Sequence, residues 1–185
     1  MRYAAFRNLE TSRLVLRKFR REDAADYYTR LGSSEEVTKY MLFQPHRDIS
    51  EAYASVEKAL SRYETGKYYR WAIALKEDDR LIGVIEPLRF DEERSACSFA
   101  YMLGKDWWRK GYGTEALTEV LRFLFEEMDM ALVEADHMAE NVGSGAVMRK
   151  AGMQYLRTDA AVYEKNGRTY DACRYAITRK QWMNR

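Results

Sequence analysis

The stretch Trp108-Arg109-Lys110-Gly111-Tyr112-Gly113-Thr114-Glu115-Ala116 decides how the rest of this 185-residue chain is read. Two glycines, two apart, stand behind two cations and open onto a helix. From there apolar residues fall at Leu117, Val120, Leu121, Leu124, Phe125 and Met128, the 3,4 spacing of one buried helix face. Ahead of the glycines, Ala96-Cys97-Ser98-Phe99-Ala100-Tyr101-Met102-Leu103 reads as a strand that breaks at Gly104. The first amides of a helix lack intrahelical partners, and the helix dipole adds partial positive charge there. Glycine lets backbone approach a phosphate with no Cβ in the way. Strand, glycine turn and helix start therefore predict an anion cradle, although a Gly-x-Gly alone also serves as plain capping. The spacing fits neither a nucleoside-triphosphate loop nor the dinucleotide fingerprint, whose third glycine would stand where Ala116 does.

A second strand-and-helix pair follows. Leu132-Val133-Glu134-Ala135-Asp136-His137-Met138 reads as a strand, and Asn141-Val142-Gly143-Ser144-Gly145-Ala146-Val147-Met148-Arg149-Lys150 as a helix. Asn141 is suited to cap that helix and Gly152 to stop it in the left-handed conformation. Elsewhere, strands are expected over residues 14–19, 69–75 and 81–90, with turns at 77–80 and 91–94. Helices are expected over 21–31, 34–40 and 50–65, the last capped by Ser50 with Glu51 in its first turn. A closing hairpin joins 155–163 to 169–177 through Asn166-Gly167. Two prolines, no repeat and no low-complexity segment leave one domain over 1–185, its motif-bearing core at about 10–182.

Composition narrows the function. An apolar content of 46% in 185 residues fills a full core. A net charge of +2 gives nucleic-acid binding no support. No apolar run reaches membrane-spanning length, and Met1-Arg2-Tyr3-Ala4-Ala5-Phe6 lacks a signal-peptide core. Cys97 and Cys173 read as free thiols of a reducing cytosol, and two cysteines with two histidines offer no metal-ligand spacing.

The two motif pairs resemble those of the GNAT N-acetyltransferase superfamily: an acetyl-CoA loop of the form Gln/Arg-x-x-Gly-x-Gly/Ala, then an Asn-x-x-Ser…Lys-x-Gly-Phe helix. Within it, Glu10-Thr11-Ser12-Arg13-Leu14-Val15-Leu16-Arg17 and Gly167-Arg168-Thr169-Tyr170-Asp171 are similar to the ends of the Rim-type Nα-acetyltransferases. The resemblance implies an α/β (α+β) GNAT fold. Its mixed central sheet would have about seven strands, mostly antiparallel with a splayed parallel pair, and helices on both faces. It also implies a cytoplasmic enzyme, monomer or homodimer, that moves acetyl from acetyl-CoA to an amine without a metal. The acceptor is a peptide or protein N-terminus or, alternatively, a small amine such as a polyamine, metabolite or antibiotic. A further alternative is a non-catalytic acyl-CoA-binding module.

Residue by residue, the resemblance assigns the pyrophosphate to the loop formed by Trp108, Arg109, Lys110, Gly111, Tyr112, Gly113 and Thr114. It assigns the pantetheine to the strand edge at Tyr101, Met102 and Leu103, with Asn141, Ser144 and Lys150 completing the cofactor side. Lys105 would add charge near the phosphates. This chain carries Trp108 at the first loop position, Ser98 where Rim-type sequences keep a glutamate, Ala100 for their glycine and Met153 for their phenylalanine. The base is therefore open among Glu86, His137, Tyr101 and Ser98, with Asn141 at the site's edge. A lysine amine is about one part in a thousand neutral near pH 7.4 and an α-amine about a quarter. An α-amine is thus the acceptor that asks least of a base. Aromatic residues at Tyr53, Tyr63, Tyr68, Tyr69 and Trp71 either line the acceptor side or belong to the core.

Overall fold

The structure, a computed structural model, describes residues 1–185. Eight strands form one sheet: β1 (Leu9–Glu10), β2 (Leu14–Arg17), β3 (Trp71–Leu75), β4 (Leu81–Asp91), β5 (Ala96–Leu103), β6 (Leu132–Met138), β7 (Gln154–Lys165) and β8 (Arg168–Thr178). Their order is β1-β2-β3-β4-β5-β6-β8-β7, and only the β5–β6 pair is parallel. The two-residue β1, which has no counterpart among the expected strands, brings the count to eight where about seven were expected. Asn166 and Gly167 at the hairpin tip both have positive φ (53° and 72°), the turn that Asn-Gly favours.

The helices are α1 (Asp23–Tyr27), α2 (Glu35–Thr38), α3 (Ile49–Tyr63), α4 (Tyr112–Arg122), α5 (Val142–Lys150) and α6 (Arg179–Met183). Two expectations change here. The helix expected over 21–31 is α1 followed by a π-helical turn, Tyr28–Gly32. Helix α3 is capped by Asp48, whose carboxylate accepts from the Ser50 amide at 2.7 Å, not by Ser50 itself. A carboxylate at the N-cap also meets the positive end of the dipole, which a serine does not.

Period-2 alternation sends side chains to two layers. On one face, Trp71, Ile73, Ile85, Cys97, Phe99, Val133 and Ala135 pack against α4 and α5, and all six predicted face residues of α4 and its π-helical extension are fully buried. On the other, Ala72, Val84 and Met102 pack beneath α1 and α3. At about 25 cal/mol per Å² of apolar surface, these layers supply the main favourable free energy of folding. Tyr63, Tyr69 and Trp71 are buried pillars of these cores, so they do not line an acceptor groove. The Tyr69 hydroxyl and Trp71 indole donate to the carbonyls of Ala4 and Arg7, which pins the N-terminal segment.

Candidate active site

The parallel strands β5 and β6 pair only at Ala96↔Leu132, Cys97↔Val133 and Ser98↔Glu134. Beyond Ser98 they part, and the edge of β5 from Ala100 onward has no strand beside it. Successive peptide groups of a strand point to opposite neighbours. The Ser95 carbonyl bonds toward β6, and the Gly104 amide bonds back to Ile82 next to β4. By that alternation the peptide groups of Tyr101 and Leu103 face the gap, whereas those of Met102 belong to the ladder with Val84. Met102 thus leaves the expected strand-edge set and contributes only its buried side chain to the layer under α1 and α3. The Leu103 carbonyl is occupied as well, because the Trp108 indole donates to it at 2.7 Å. Trp108 is 40% exposed and folds the loop back onto the strand edge.

From Arg109 to Thr114, no backbone amide donates a hydrogen bond within the protein. Arg109 (φ 61°) and Gly111 (φ 86°) are both left-handed, which curls this run of amides into a concave nest at the start of α4. At Gly111 a side chain would be strained, since its Cβ would also meet Arg13 Nη2 at 3.3 Å. Arg109 and Lys110 are exposed beside the nest. Such a row of free amides at a helix N-terminus suits a pyrophosphate. The Lys105 ammonium is paired with Glu36 of α2.

Residues 11–13 and Glu115 form a support that the sequence did not disclose beyond the resemblance of its N-terminal segment. The Glu115 carboxylate accepts from Thr11 Oγ1 (2.6 Å), Ser12 Oγ (3.0 Å), the Arg13 amide (2.9 Å) and Arg13 Nε (2.7 Å). Arg13 in turn donates to the Lys110 carbonyl at 3.0 Å and lies 4.1 Å over the Tyr112 ring. Burial opposes the charge on Glu115, but these donors outweigh it and hold the carboxyl below its ordinary range.

Across the gap, Asn141 caps α5: its Oδ1 accepts from the Ser144 amide at 3.4 Å and its Nδ2 donates to Ser144 Oγ at 3.0 Å. Gly152 takes φ 89° just past the helix end, as expected. The Tyr101 hydroxyl donates to the Ser144 carbonyl at 3.1 Å, which ties β5 to α5 over the gap. Burial pushes that hydroxyl's pKa up, so it is protonated at neutral pH. Lys150 is exposed at the far end of α5.

The candidate bases do not come together. Strand parity and register place Glu86, Ser98 and Ala100 on the face under α1 and α3, and His137 and Tyr101 on the face under α4 and α5. His137 is 8% exposed. Its Nδ1 lies 2.8 Å from its neighbour's carbonyl, and its Nε2 is buried without a partner beneath Gly145. The Ser98 hydroxyl donates to the Leu88 carbonyl at 3.4 Å. Glu86 is half-buried, 3.8 Å from Arg70 Nε. Burial raises its pKa, and Arg70, Arg62 and Lys58 draw it back only in part. Burial also pushes the Cys97 thiol up to about 12, so it is no nucleophile at neutral pH. No group of three His, Cys, Asp or Glu side chains is placed to hold a metal. No helix is long and apolar enough to cross a membrane.

Residues 13–154 match the family described as acetyltransferase (GNAT) domain. The chain is 31% identical over 177 residues to the uncharacterized N-acetyltransferase p20 of Bacillus licheniformis, covering 94% of this chain and 97% of that protein. It is 26% identical over 185 residues to the [ribosomal protein uS5]-alanine N-acetyltransferase of Escherichia coli, covering 95% and 86%. A GNAT-family acetyltransferase from Bacillus anthracis shares the fold with a TM-score of 0.83 at 22% identity, over 94% of this chain and 99% of that one. The microcin C7 self-immunity acetyltransferase, solved with acetyl-CoA and AMP, does so with a TM-score of 0.80 at 19% identity, over 91% and 93%. The chain belongs to the GNAT acetyltransferase family. It is an N-acetyltransferase, and the family draws its acetyl group from acetyl-CoA.

Proposed function

We propose that this enzyme acetylates the α-amine of a peptide or protein N-terminus, in the cytosol, as a monomer or homodimer. The observation that carries the donor half is the run of partnerless amides from Arg109 to Thr114 beside the open edge of β5. In this reading those amides, with Arg109 and Lys110, hold the pyrophosphate. Gly111 and Gly113 keep Cβ atoms out of the way. The Tyr101 peptide group and the Leu103 amide bond the pantetheine, Asn141 and Ser144 wall the far side, and Lys150 meets the outer phosphate. Bound acetyl-CoA supplies the activated acetyl group. Glu86 takes the amine's proton, since it is the one carboxylate among the four candidate catalytic residues and it faces the side away from the cofactor helices. In this reading the amine nitrogen bonds the acetyl carbon as the C–S bond breaks, and the Tyr101 hydroxyl, protonated at neutral pH, gives a proton to the departing CoA thiolate.

The α-amine is favoured because its ionisation leaves about a quarter neutral near pH 7.4, which a half-buried carboxylate readily completes. The relative from Escherichia coli is an N-acetyltransferase of an alanine of ribosomal protein uS5, which supports a protein amine as acceptor. Cys97 and Cys173 are free, in keeping with a reducing compartment. Thiol release from acetyl-CoA, measured against N-terminal peptides, polyamines and free amino acids, tests this reading. Peptide α-amines are expected to be preferred, and Gly111→Asp, with a carboxylate at the nest, is expected to abolish acetyl-CoA binding in a folded protein. Tight acetyl-CoA binding with no turnover on any amine, or turnover on polyamines alone, overturns it.

A further inference from the structure

We propose that the acceptor is an acidic peptide, whose second residue carries a carboxylate that pairs with Arg70, Arg62 and Lys58 while the α-amine lies at Glu86. The inference deepens the reading that a peptide α-amine gives its proton to Glu86, and rests on it.

Arg70 is a cation that the fold leaves unfinished. It precedes Trp71, the partner of Ile85, and so stands beside Glu86 on the face under α1 and α3. Its side chain is 11% exposed, and its guanidinium lies over the rings of Phe19 and Tyr27. None of its N–H donors makes a short bond. Those from Nη1 to Ser55 and from Nη2 to Tyr27 span 3.4–3.5 Å. Nε has no hydrogen-bond partner, and Glu86 Oε1 stands off at 3.8 Å. A buried charge is costly unless it is paired and hydrogen-bonded. A guanidinium in that state calls for acceptor oxygens, and a carboxylate fits its fork best. The Glu86 side chain is 25% exposed, so the row opens to solvent at its carboxylate.

Helix α3 adds charge of the same sign. Ser55, Lys58 and Arg62 follow one another at spacings of three and four, which makes one stripe of the helix. Ser55 touches Arg70, so the stripe runs beside Arg70 and Glu86. Burial raises the Glu86 pKa, and the charges that oppose it are Arg70, Arg62 and Lys58. The arginines around α1 have carboxylates of their own: Arg17 with Asp23, Arg20 with Asp79, Arg21 with Glu57 and Arg30 with Asp26. Lys58 and Arg62 are exposed and pair with none. Glu86 therefore faces three cations alone. A polyamine would be repelled by that excess, whereas an acceptor that brings a carboxylate with its amine cancels it. Neighbouring strands lie about 4.8 Å apart, so a carboxylate at Arg70 stands about 5 Å or more from an amine at Glu86. The two charges of a free amino acid share one carbon and fall short. Consecutive α-carbons are about 3.8 Å apart, so an acidic side chain on the second residue of a peptide spans the interval.

The test uses the full chain, acetyl-CoA and three peptides that differ only in glutamate, glutamine or lysine as second residue. Wild type is expected to show a kcat/KM at least tenfold higher for the glutamate than for the glutamine peptide, with the lysine peptide lowest. Added salt is expected to shrink that ratio. In Arg70→Gln the glutamate-to-glutamine ratio is expected to fall to within twofold of unity, whatever the absolute rates. In the double variant Lys58→Gln/Arg62→Gln, at two exposed positions of α3, it is expected to fall at least threefold. Arg21→Gln, which removes an arginine already paired, is expected to keep the wild-type ratio. A wild-type ratio in the double variant overturns the inference, and that measurement stands even where Arg70→Gln fails to fold. A collapse of the ratio in Arg21→Gln as well, the mark of diffuse surface charge, also overturns it. Turnover of all three peptides with equal kcat/KM removes this inference and leaves the proposed function. Wild-type protein that binds acetyl-CoA but acetylates no amine removes both.

Discussion

Replacing Glu115 by alanine should loosen the phosphate nest without touching it. The carboxylate is 16% exposed and gathers four donors from residues 11–13, which lie 102–104 positions away in the chain. Hydrogen bonds to charged groups contribute about 1.5–3 kcal/mol when buried, and exposed pairs about 0.2–1 kcal/mol. The part-buried Thr11 bond is assigned about 1.5 kcal/mol and each of the three solvent-facing bonds about 0.5 kcal/mol, for a loss of about 3 kcal/mol. In a domain of this size that lowers Tm by about 6–12 °C. The lowered pKa of Glu115 fixes the pH dependence. Its contribution is complete above the unfolded value, about 4.3, and disappears as pH falls through the lower folded value. The gap between wild type and Glu115→Ala should therefore hold at neutral pH and narrow below about pH 4. Arg13, released from Glu115, no longer fixes the Lys110 carbonyl, and the acetyl-CoA Kd should rise about tenfold, equivalent to about 1.4 kcal/mol. Denaturation across pH and calorimetric titration with acetyl-CoA measure both effects. A Tm within about 2 °C of wild type, together with an unchanged Kd, would refute the idea that this cluster supports the nest.

Glu86→Gln should lower kcat by about 10²-fold or more with little change in acetyl-CoA Kd. Because burial raises the Glu86 pKa, the acid limb of the wild-type kcat profile should lie above the ordinary carboxylate value and be absent from the variant. A loss of less than tenfold, with activity following only the amine's own ionisation near 8, would return the chemistry to an acceptor that arrives neutral. Gly145→Ala would place a Cβ 2.7 Å from His137 Nε2 and 3.1 Å from the Tyr175 hydroxyl. It should cost about 1–3 kcal/mol in denaturant titrations, and wild-type stability would mean that α5 shifts freely over β6.

The strands and helices around the nest were legible because their signals are local. The 3,4 pattern from Leu117 to Met128 is one buried face, and Asn141, Gly152 and Asn166-Gly167 take the conformations their residue types favour. What was not legible depends on partners far along the chain. Asp48 and Ser50 are both good N-caps, and geometry alone separates them. Parity within β4 or β6 separates alternate residues, but only the register between strands tells that Glu86 and His137 look to opposite faces. The same register moved Met102 off the gap. Arg13 and Glu115 are joined by the fold, not by spacing.

The tip of the last hairpin reaches back to the beginning of the protein. The Lys165 ammonium donates to the carbonyls of Thr38 and Met41 at 2.7 Å and of Phe43 at 3.3 Å, and Gln44 donates to Asn166. Strand β8 also inserts between β6 and β7. Because β8 joins β6 and β7 only after the chain has run out through α5 and turned back, the far wall of the gap between β5 and β6 depends on non-local pairing, which forms more slowly than local contacts.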